Sequence, residues 1–251
     1  MKIFFMAISL FIFSISTIFS DIKDEPVLLL SYPRSGNTWT RYCIEYITKR
    51  PTGEIPYLFP IDLNSNHMNS PINNSFDLGV DYKKFPVIKL HSYNSLGSKI
   101  DFKYLVIIVR DYKECIMRQH SSYNLAIADL EFPHNWYIDA LKIYDNWDKD
   151  KRLLLYYEDL MNDPFYVYNQ IANFFGEGKE TIENFINEEA EHKANGIWLY
   201  SRYEMFSASK GTDIHFHAKK LTPEQIYELD SLCKNLYPEI FDLYLRRYES
   251  K

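Results

Sequence analysis

The sequence predicts an α/β fold in which a central parallel β-sheet lies between two layers of helices. Short apolar runs of the kind buried in parallel sheets recur at residues 27–32, 86–90, 104–109 and 152–157. Helical patterns separate most of these runs, at about residues 38–49, 112–128 and 134–149. Because strands and helices alternate, we expect βαβ units with helices on both faces of the sheet, which is a three-layer sandwich.

Two segments interrupt this alternation. Residues 50–85 contain four prolines with many Asn and Ser residues, and predict an irregular excursion between strands. Residues 194–220 are also predicted to be irregular. The chain after residue 160 is otherwise predicted to be helical, at about residues 164–175, 179–191 and 222–235. The segment 222–225 supports the last of these helices, since it offers an N-cap Thr, a Pro for the first helical position and an acidic first turn.

The composition favours a single domain. A chain of 251 residues can bury a substantial core, and two small domains are the less simple alternative. The net charge of −6 argues against a nucleic-acid partner bound through a broad basic surface. The cysteines, Cys43, Cys115 and Cys233, have neither CxxC nor metal-ligand spacing. Core packing is the favoured interpretation for the first two, and a disulfide among the three is left open.

Residues 1–20 differ in kind from the rest of the chain. Lys2 precedes an uncharged run over residues 3–19, which Ser20 and an acidic segment follow. This pattern is typical of a secretory signal peptide, and the run is also just long enough for an uncleaved membrane anchor. We therefore expect an exported or membrane-anchored protein, secreted, periplasmic or in a Golgi-like lumen, whose folded domain is residues 21–251. If the segment is not a signal, the expectation is a cytoplasmic protein.

The most informative segment runs from Val27 to Trp39, where an apolar strand leads into a Pro- and Gly-containing loop and then a helix. The loop offers the Arg34 guanidinium, hydroxyl groups and the backbone N–H groups near Gly36. These lie at the N-terminus of the helix, which carries partial positive charge and N–H groups without helical partners. The segment therefore predicts an anion site, with a nucleotide phosphate as the favoured anion. The sequence has no G-x-x-x-x-G-K-[ST] loop of the Walker A type.

The octapeptide Tyr32–Trp39 resembles the 5′-phosphosulfate loop of sulfotransferases, which use 3′-phosphoadenosine 5′-phosphosulfate (PAPS) as sulfuryl donor. Other segments resemble the same family in the same order along the chain: Val87–His91 its I-K-x-H segment, Tyr104–Asp111 its 3′-phosphate strand, Leu153–Leu160 its Y-E-D strand and, more weakly, Ser209–Gly211 its R-K-G loop. The resemblance spans residues 27 to about 220. It implies a fold similar to P-loop kinases.

The resemblance also implies roles for the matching residues. His91 would be the general base, and Arg34 and Lys89 would stabilise the transferring sulfuryl group and its leaving oxygen. Arg110 would bind the 3′-phosphate. The other donor-binding residues would be Ser35, Gly36, Asn37, Thr38, Trp39, Arg118, Tyr157, Lys210 and Gly211.

Several of these residues have a plainer interpretation. Thr38 could simply cap a helix, and Trp39 could pack in a core. Arg118 replaces a family serine and could bind the 3′-phosphate or point to solvent. Lys89 and His91 gain support from their spacing, because residues two apart on a strand share a face. Arg110 gains support from its position directly after an apolar strand, where α/β sheets place their sites.

The sequence thus predicts sulfuryl transfer from PAPS to a hydroxyl or amine of a small-molecule, glycan or lipid acceptor, with no metal. We expect the acceptor walls to come from residues 50–85 and 194–220. Two alternatives are a P-loop-type nucleotide kinase and a non-catalytic, secreted nucleotide-binding protein. The sequence predicts neither the identity of the acceptor nor the oligomeric state.

Overall fold

The computed structural model describes residues 25–50, 52–54, 87–91, 93, 101–120, 131–178, 180–187 and 218–249. The N-terminal segment 1–20, the pair Lys210 and Gly211, and most of the two segments predicted to be irregular lie outside the described residues. Within the described part of the chain, no helix combines the length and apolar character that crossing a membrane requires.

Five parallel strands form the central sheet, in the spatial order β2-β3-β1-β4-β5. The strands are β1 (Val27–Leu30), β2 (Thr52–Glu54), β3 (Val87–Leu90), β4 (Tyr104–Val109) and β5 (Arg152–Tyr156). The chain passes from β1 to one edge of the sheet and later crosses to the other side of β1 at β4. In open α/β sheets, ligands bind beyond the carboxyl ends of the strands at such a reversal. The crevice beyond β1 is therefore the expected location of a site.

The edge strand β2 corrects one expectation, because it lies in a segment predicted to be irregular. Its three residues, Thr-Gly-Glu, contain no apolar run. Its pairing with β3 defines it as a strand. A polar three-residue edge strand of this kind has almost no signal in the sequence, since its strand character comes from a distant partner.

The helices are α1 (Asn37–Thr48), α2 (Tyr112–His120), α3 (Glu131–Asn146), α4 (Tyr157–Asn162), α5 (Pro164–Phe175), α6 (residues 180–187) and α7 (Pro223–Leu236). Most begin within a few residues of their predicted positions. The short α4 and the helical turns over residues 238–248 were not predicted. The predicted start of α7 is confirmed, because Thr222 and Gln225 form a reciprocal capping box.

Helices cover both faces of the sheet, so the predicted three-layer sandwich is confirmed. One core joins sheet residues such as Leu28 and Ile107 to α2, α3 and α7. The other joins Leu29 and Ile108 to α1, α4 and α5. All three cysteines are buried in these cores as free thiols. The packing interpretation therefore holds, and the disulfide that the sequence left open is not formed.

Candidate functional site

Most of the predicted site residues that the structure describes follow the carboxyl ends of four neighbouring strands, and Lys89 lies within one of them, β3. His91 follows β3, the loop over residues 31–36 follows β1, Arg110 follows β4 and Tyr157 follows β5. These strands are adjacent, and β1 is the point at which the strand order reverses. The sheet topology thus gathers these segments, which are distant in sequence, at one crevice.

The loop between β1 and α1 has an unusual backbone conformation. Arg34 has φ of +70° and Gly36 has φ of +98°. The left-handed region is strained for arginine and readily adopted by glycine. Two hydrogen bonds hold the loop: the Ser35 N–H donates to the Tyr32 carbonyl at 3.3 Å, and Nη1 of Arg110 donates to the Arg34 carbonyl at 3.1 Å. The Arg34 side chain is exposed, so its guanidinium can reach a ligand in the crevice.

Gly36 is the N-cap of α1 and packs against Tyr157. A Cβ atom at Gly36 would lie 2.4 Å from Cδ2 of the Tyr157 ring. Glycine is therefore required both by the backbone conformation and by the space available. In the part of the chain that the structure describes, no side chain caps α1, and its first turn has no acidic residue. The positive end of the helix dipole therefore faces the crevice without an acidic side chain in its own first turn.

Three residues of the motif differ in how they present their side chains. Thr38 is exposed and its hydroxyl donates to Oδ1 of Asn37 at 3.4 Å. The capping alternative for Thr38 is wrong, because Gly36 occupies the N-cap position. Trp39 is half-buried and meets the Tyr157 ring edge-on, with centroids 6.4 Å apart. It therefore packs on the core and also borders the crevice.

Ser35 is fully buried, unlike its neighbours in the motif. Its hydroxyl contacts the Cys115 thiol of α2 at 3.5 Å. Burial raises the pKa of that thiol to about 12, so the thiol is neutral at physiological pH. This contact secures the loop against α2. A ligand-binding role for the Ser35 hydroxyl stays a prediction.

Arg110 is 2% exposed and is held on several sides. Besides its bond to the Arg34 carbonyl, its guanidinium carbon lies 4.3 Å from the Tyr157 ring centroid. Its Nη2 lies 3.6 Å from Oε1 of Glu114. The Tyr137 hydroxyl donates to the Arg110 carbonyl and accepts its backbone N–H. Arg110 therefore joins the β1 loop to the carboxyl ends of β4 and β5.

We did not predict a role for Glu114, although it lies four residues after Arg110 in the sequence, a spacing at which oppositely charged side chains can pair. Glu114 is 1% exposed, and its Oε2 accepts the Ala218 N–H at 2.8 Å. Ala218 is the first described residue after the segment that contains Lys210 and Gly211. Ala218 therefore lies next to Glu114, the carboxylate that pairs with Arg110.

Arg118 is half-buried and lies about one turn after Glu114 on α2. Burial raises the pKa of the Tyr157 hydroxyl, and the positive charges of Arg110 and Arg118 both oppose that rise. Arg118 therefore lies close enough to Tyr157 to act on it electrostatically. Both alternatives that the sequence left open for Arg118, phosphate binding and exposure to solvent, stay predictions.

His91 is 8% exposed, and its Nδ1 makes hydrogen-bond contacts with Ser31. Its Nδ1 lies 2.6 Å from the Ser31 carbonyl oxygen and 3.4 Å from the Ser31 hydroxyl. Since a carbonyl only accepts, we infer that Nδ1 carries a hydrogen and donates it to Ser31. Lys89 lies two residues earlier in β3, is 3% exposed and shares this face by strand alternation.

A surface groove of about 380 Å³ lies along α3. It is lined by Tyr93, Asp139, Lys142, Ile143, Asn146 and Trp147. The Trp147 indole N–H donates to the carbonyl of Lys103, which directly precedes β4. The Trp147 end of the groove thus lies near the amino end of β4. Across the residues that the structure describes, no group of three His, Cys, Asp or Glu side chains is arranged to bind a metal.

Comparison with known proteins identifies the class of fold. No protein-family model matches the chain. The chain is 23% identical over 181 residues to sulfotransferase 2A1 of Rattus norvegicus, a match that covers 64% of the chain and 63% of that protein. The chain therefore matches less than two thirds of the length of this curated relative.

Two solved structures show the likeness in three dimensions. The first is mouse sulfotransferase SULT7A1 complexed with PAP, with a TM-score of 0.56 and 17% identity over 90% of this chain and 88% of that one. The second is retinol dehydratase in complex with androsterone and inactive cofactor PAP, with a TM-score of 0.52 and 18% identity over 85% of this chain and 81% of that one. The fold of the chain is therefore the α/β fold of these two structures.

Proposed function

We propose that the chain is a PAPS-dependent sulfotransferase that transfers a sulfuryl group to a hydroxyl or amine. The observation that carries the proposal is the bond between Arg110 and the carbonyl of Arg34. It sets a buried guanidinium beside the loop that opens α1, so that one crevice offers two separate anion-binding features. A nucleotide phosphorylated at its 5′ and 3′ positions needs two such features. The PAP-bound structures of SULT7A1 and retinol dehydratase support PAPS as the donor.

In this proposal, the 5′-phosphosulfate lies at the N-terminus of α1. The backbone at Gly36 and the exposed Thr38, with Asn37, donate hydrogen bonds to it, assisted by the helix dipole. Ser35 contributes through the loop that it secures. Trp39 and Tyr157 border the adenine with their aromatic rings.

The 3′-phosphate is proposed to bind at Arg110, with Arg118 as a second guanidinium. Arginine suits this task because its planar fork can bond two phosphate oxygens at once. The electrostatic effect of Arg118 on Tyr157 supports its placement near the same phosphate. Lys210 and Gly211 are proposed to complete the site, and the position of Ala218 beside Glu114 supports this.

The proposed chemistry uses His91 as the general base. Its Nε2 takes the proton of the acceptor hydroxyl or amine as the acceptor atom attacks sulfur, and the bond between sulfur and the phosphate oxygen breaks. Negative charge grows on that leaving oxygen, where Arg34 and Lys89 stabilise it. The hydrogen bond from Nδ1 to the Ser31 carbonyl supports this role, because it orients the ring and places the donor hydrogen on Nδ1.

The acceptor is proposed to be a small molecule with a hydroxyl or amine group. Complexes of retinol dehydratase with androsterone and with retinol support a small apolar alcohol as the first compound to test. The export or anchoring expected from residues 1–20 is a further part of the proposal, and requires PAPS in the compartment that the domain reaches. Detection of the N-terminus in the purified, exported protein by mass spectrometry tests it.

The decisive experiment pairs His91→Ala with the unchanged protein in two assays. Titration calorimetry compares PAP with ATP, and labelled PAPS measures transfer to a panel of alcohols and amines. We expect PAP to bind tighter than ATP in both proteins, and the His91→Ala variant to lose about 10²–10⁴-fold in turnover because the base is gone. Stronger binding of ATP would instead favour a nucleotide kinase. Binding of PAP without transfer to any acceptor would favour a non-catalytic protein.

A further inference from the structure

The C-terminal turn Arg246–Glu249 packs behind the pair formed by Arg110 and Tyr157. Its central residue, Tyr248, is 8% exposed and is bonded at both of its polar ends. The Tyr248 hydroxyl donates to Oε2 of Glu158, and the Tyr248 carbonyl accepts from Nζ of Lys113. Glu158 directly follows Tyr157, and Lys113 lies three residues after Arg110. One residue of the turn thus touches the chain on both sides of the crevice.

The contact with Glu158 continues to the backbone beside Arg110. Glu158 is 6% exposed, and its second oxygen, Oε1, accepts the Asp111 N–H at 3.1 Å. One buried carboxylate therefore bridges the Tyr248 hydroxyl and the peptide group that follows Arg110. A buried carboxylate that loses one of its donors pays a desolvation cost, so this bridge depends on the Tyr248 hydroxyl.

Arg247 contacts residues on both sides of Tyr157 in the sequence. Its guanidinium pairs in a fork with Asp159, with contacts of 2.7 and 3.3 Å, and lies 4.3 Å from the Tyr156 ring centroid. Tyr156 and Glu158 are the sequence neighbours of Tyr157, so the turn holds the backbone on both sides of that ring.

Lys113 also connects the C-terminal turn to α7. Nζ of Lys113 also donates to Oδ1 of Asp230 at 3.0 Å, and this oxygen accepts the Tyr112 hydroxyl as well. Lys113 and Asp230 are both buried. The turn is therefore part of a continuous polar network rather than a loosely packed chain end.

From this network, we propose that Tyr248 is a positioning residue for donor binding. Its hydrogen bonds are to Glu158 and Lys113, which neighbour the crevice residues Tyr157 and Arg110 in the sequence. It acts through Glu158 and Lys113 to set the 4.3 Å stacking of the Arg110 guanidinium on the Tyr157 ring. The consequence for binding rests on the proposed function, in which Arg110 holds the 3′-phosphate. The structural claim that Tyr248 holds the Asp111 peptide group in place through Glu158 does not depend on the proposed function.

The test is Tyr248→Phe, which keeps the ring and removes the hydroxyl. We expect its dissociation constant for PAP to rise about tenfold, the scale of a hydrogen bond to a charged group. The dissociation constant for AMP, which lacks the 3′-phosphate, should rise much less. In the transfer assay, the KM for PAPS should rise with little change in kcat. Hydrogen exchange of the Asp111 amide should become faster.

Arg246→Gln is the matched control in the same turn. Arg246 is exposed and pairs with Asp242, one turn away. It should leave PAP affinity, the KM for PAPS and Asp111 exchange unchanged. If Tyr248→Phe fails to fold, Arg247→Lys replaces it, because lysine keeps the charge and cannot form the fork with Asp159. It should shift PAP affinity in the same direction.

The results separate the inference from the function on which it rests. Unchanged PAP affinity in Tyr248→Phe would overturn the inference. Equal losses for PAP and AMP, accompanied by a lower melting temperature, would also overturn it, since they indicate a merely structural role. If the unchanged protein binds no PAP, the proposed function fails, and Asp111 exchange still decides whether Tyr248 secures that peptide group.

Discussion

Nη1 of Arg110 and the carbonyl oxygen of Arg34 are joined by a hydrogen bond of 3.1 Å, although the two residues follow different strands. Arg34 adopts a positive φ, which costs a non-glycine residue about 1–2 kcal/mol. A hydrogen bond from a charged donor contributes about 1.5–3 kcal/mol, which is enough to offset that strain. The conformation of the loop after β1 therefore depends on the residue that ends β4.

Replacing Arg110 with Ala should weaken PAP binding about 10–100-fold, because the bidentate phosphate contact that we propose for Arg110 is lost. The loss for AMP should be far smaller, since AMP lacks the 3′-phosphate and is affected only by a looser loop. The PAP affinity of Arg110→Lys should lie between those of the unchanged protein and Arg110→Ala, because lysine keeps the charge but cannot form two parallel hydrogen bonds to one phosphate. Titration calorimetry with both nucleotides measures these effects. Equal losses for PAP and AMP would remove the 3′-phosphate role.

Gly36→Ala should lower the free energy of unfolding by about 2–4 kcal/mol. The left-handed backbone at this position is strained for alanine. The added methyl group would also collide with the Tyr157 ring, and overpacking alone typically costs about 1–3 kcal/mol. Urea denaturation measures the change. Gly178→Ala is the control, because a Cβ there meets no atom within 4 Å. Its effect should stay within about 0.5 kcal/mol. Similar values for the two variants would contradict the role of Gly36.

The sequence was sufficient for the elements whose signal is local. The central strands are continuous apolar runs, and α7 begins with a capping box that four consecutive residues specify. The strand β2 and the turns over residues 238–248 could not be found in this way. Each depends on a partner that is remote in sequence, either the neighbouring β3 or the packed residues of α3 and α7.

The same distinction applies to the candidate site. Arg34, His91 and Arg110 could be proposed from motifs, because each follows an apolar run at the end of a strand. Their supporting residues could not. Tyr248 bonds to Glu158 across 90 positions of the chain, and no local pattern marks either residue as part of a site. Glu114 had a local signal in its i,i+4 spacing from Arg110, but its contact with Ala218 had none.

Arg118→Ser introduces the serine that the resemblance to sulfotransferases implies at this position. If Arg118 binds the 3′-phosphate, the variant should weaken PAP binding about three- to tenfold, less than Arg110→Ala, because a half-exposed guanidinium is screened by water. The salt dependence of PAP binding should also become shallower. Calorimetry at two ionic strengths tests both effects. Unchanged affinity at both would assign Arg118 to the surface.

Alkaline pH should destabilise the fold through its buried tyrosines. Burial raises the pKa of Tyr137 and Tyr248 well above the ordinary value, and nearby Cys115 and Glu158 add to the rise. Below about pH 10, the folded and unfolded chains both keep these protons, so the stability is fully present. As the pH rises further, the unfolded chain loses protons that the folded chain retains. Each such tyrosine then lowers the free energy of unfolding by about 1.4 kcal/mol per pH unit.

Tyrosinate absorbance and urea denaturation, followed together as the pH is raised, measure this effect. Only part of the 21 tyrosines should ionise near pH 10, and the remainder should ionise together with unfolding. In Tyr248→Phe, one fewer tyrosine should ionise in the second step, because the residue that replaces it has no hydroxyl. Complete ionisation near pH 10 with the circular dichroism of the fold intact would show that Tyr137 and Tyr248 are open to solvent. The hydroxyl bonds to Arg110 and Glu158 would then be absent in solution, and with them the support that we assign to the crevice.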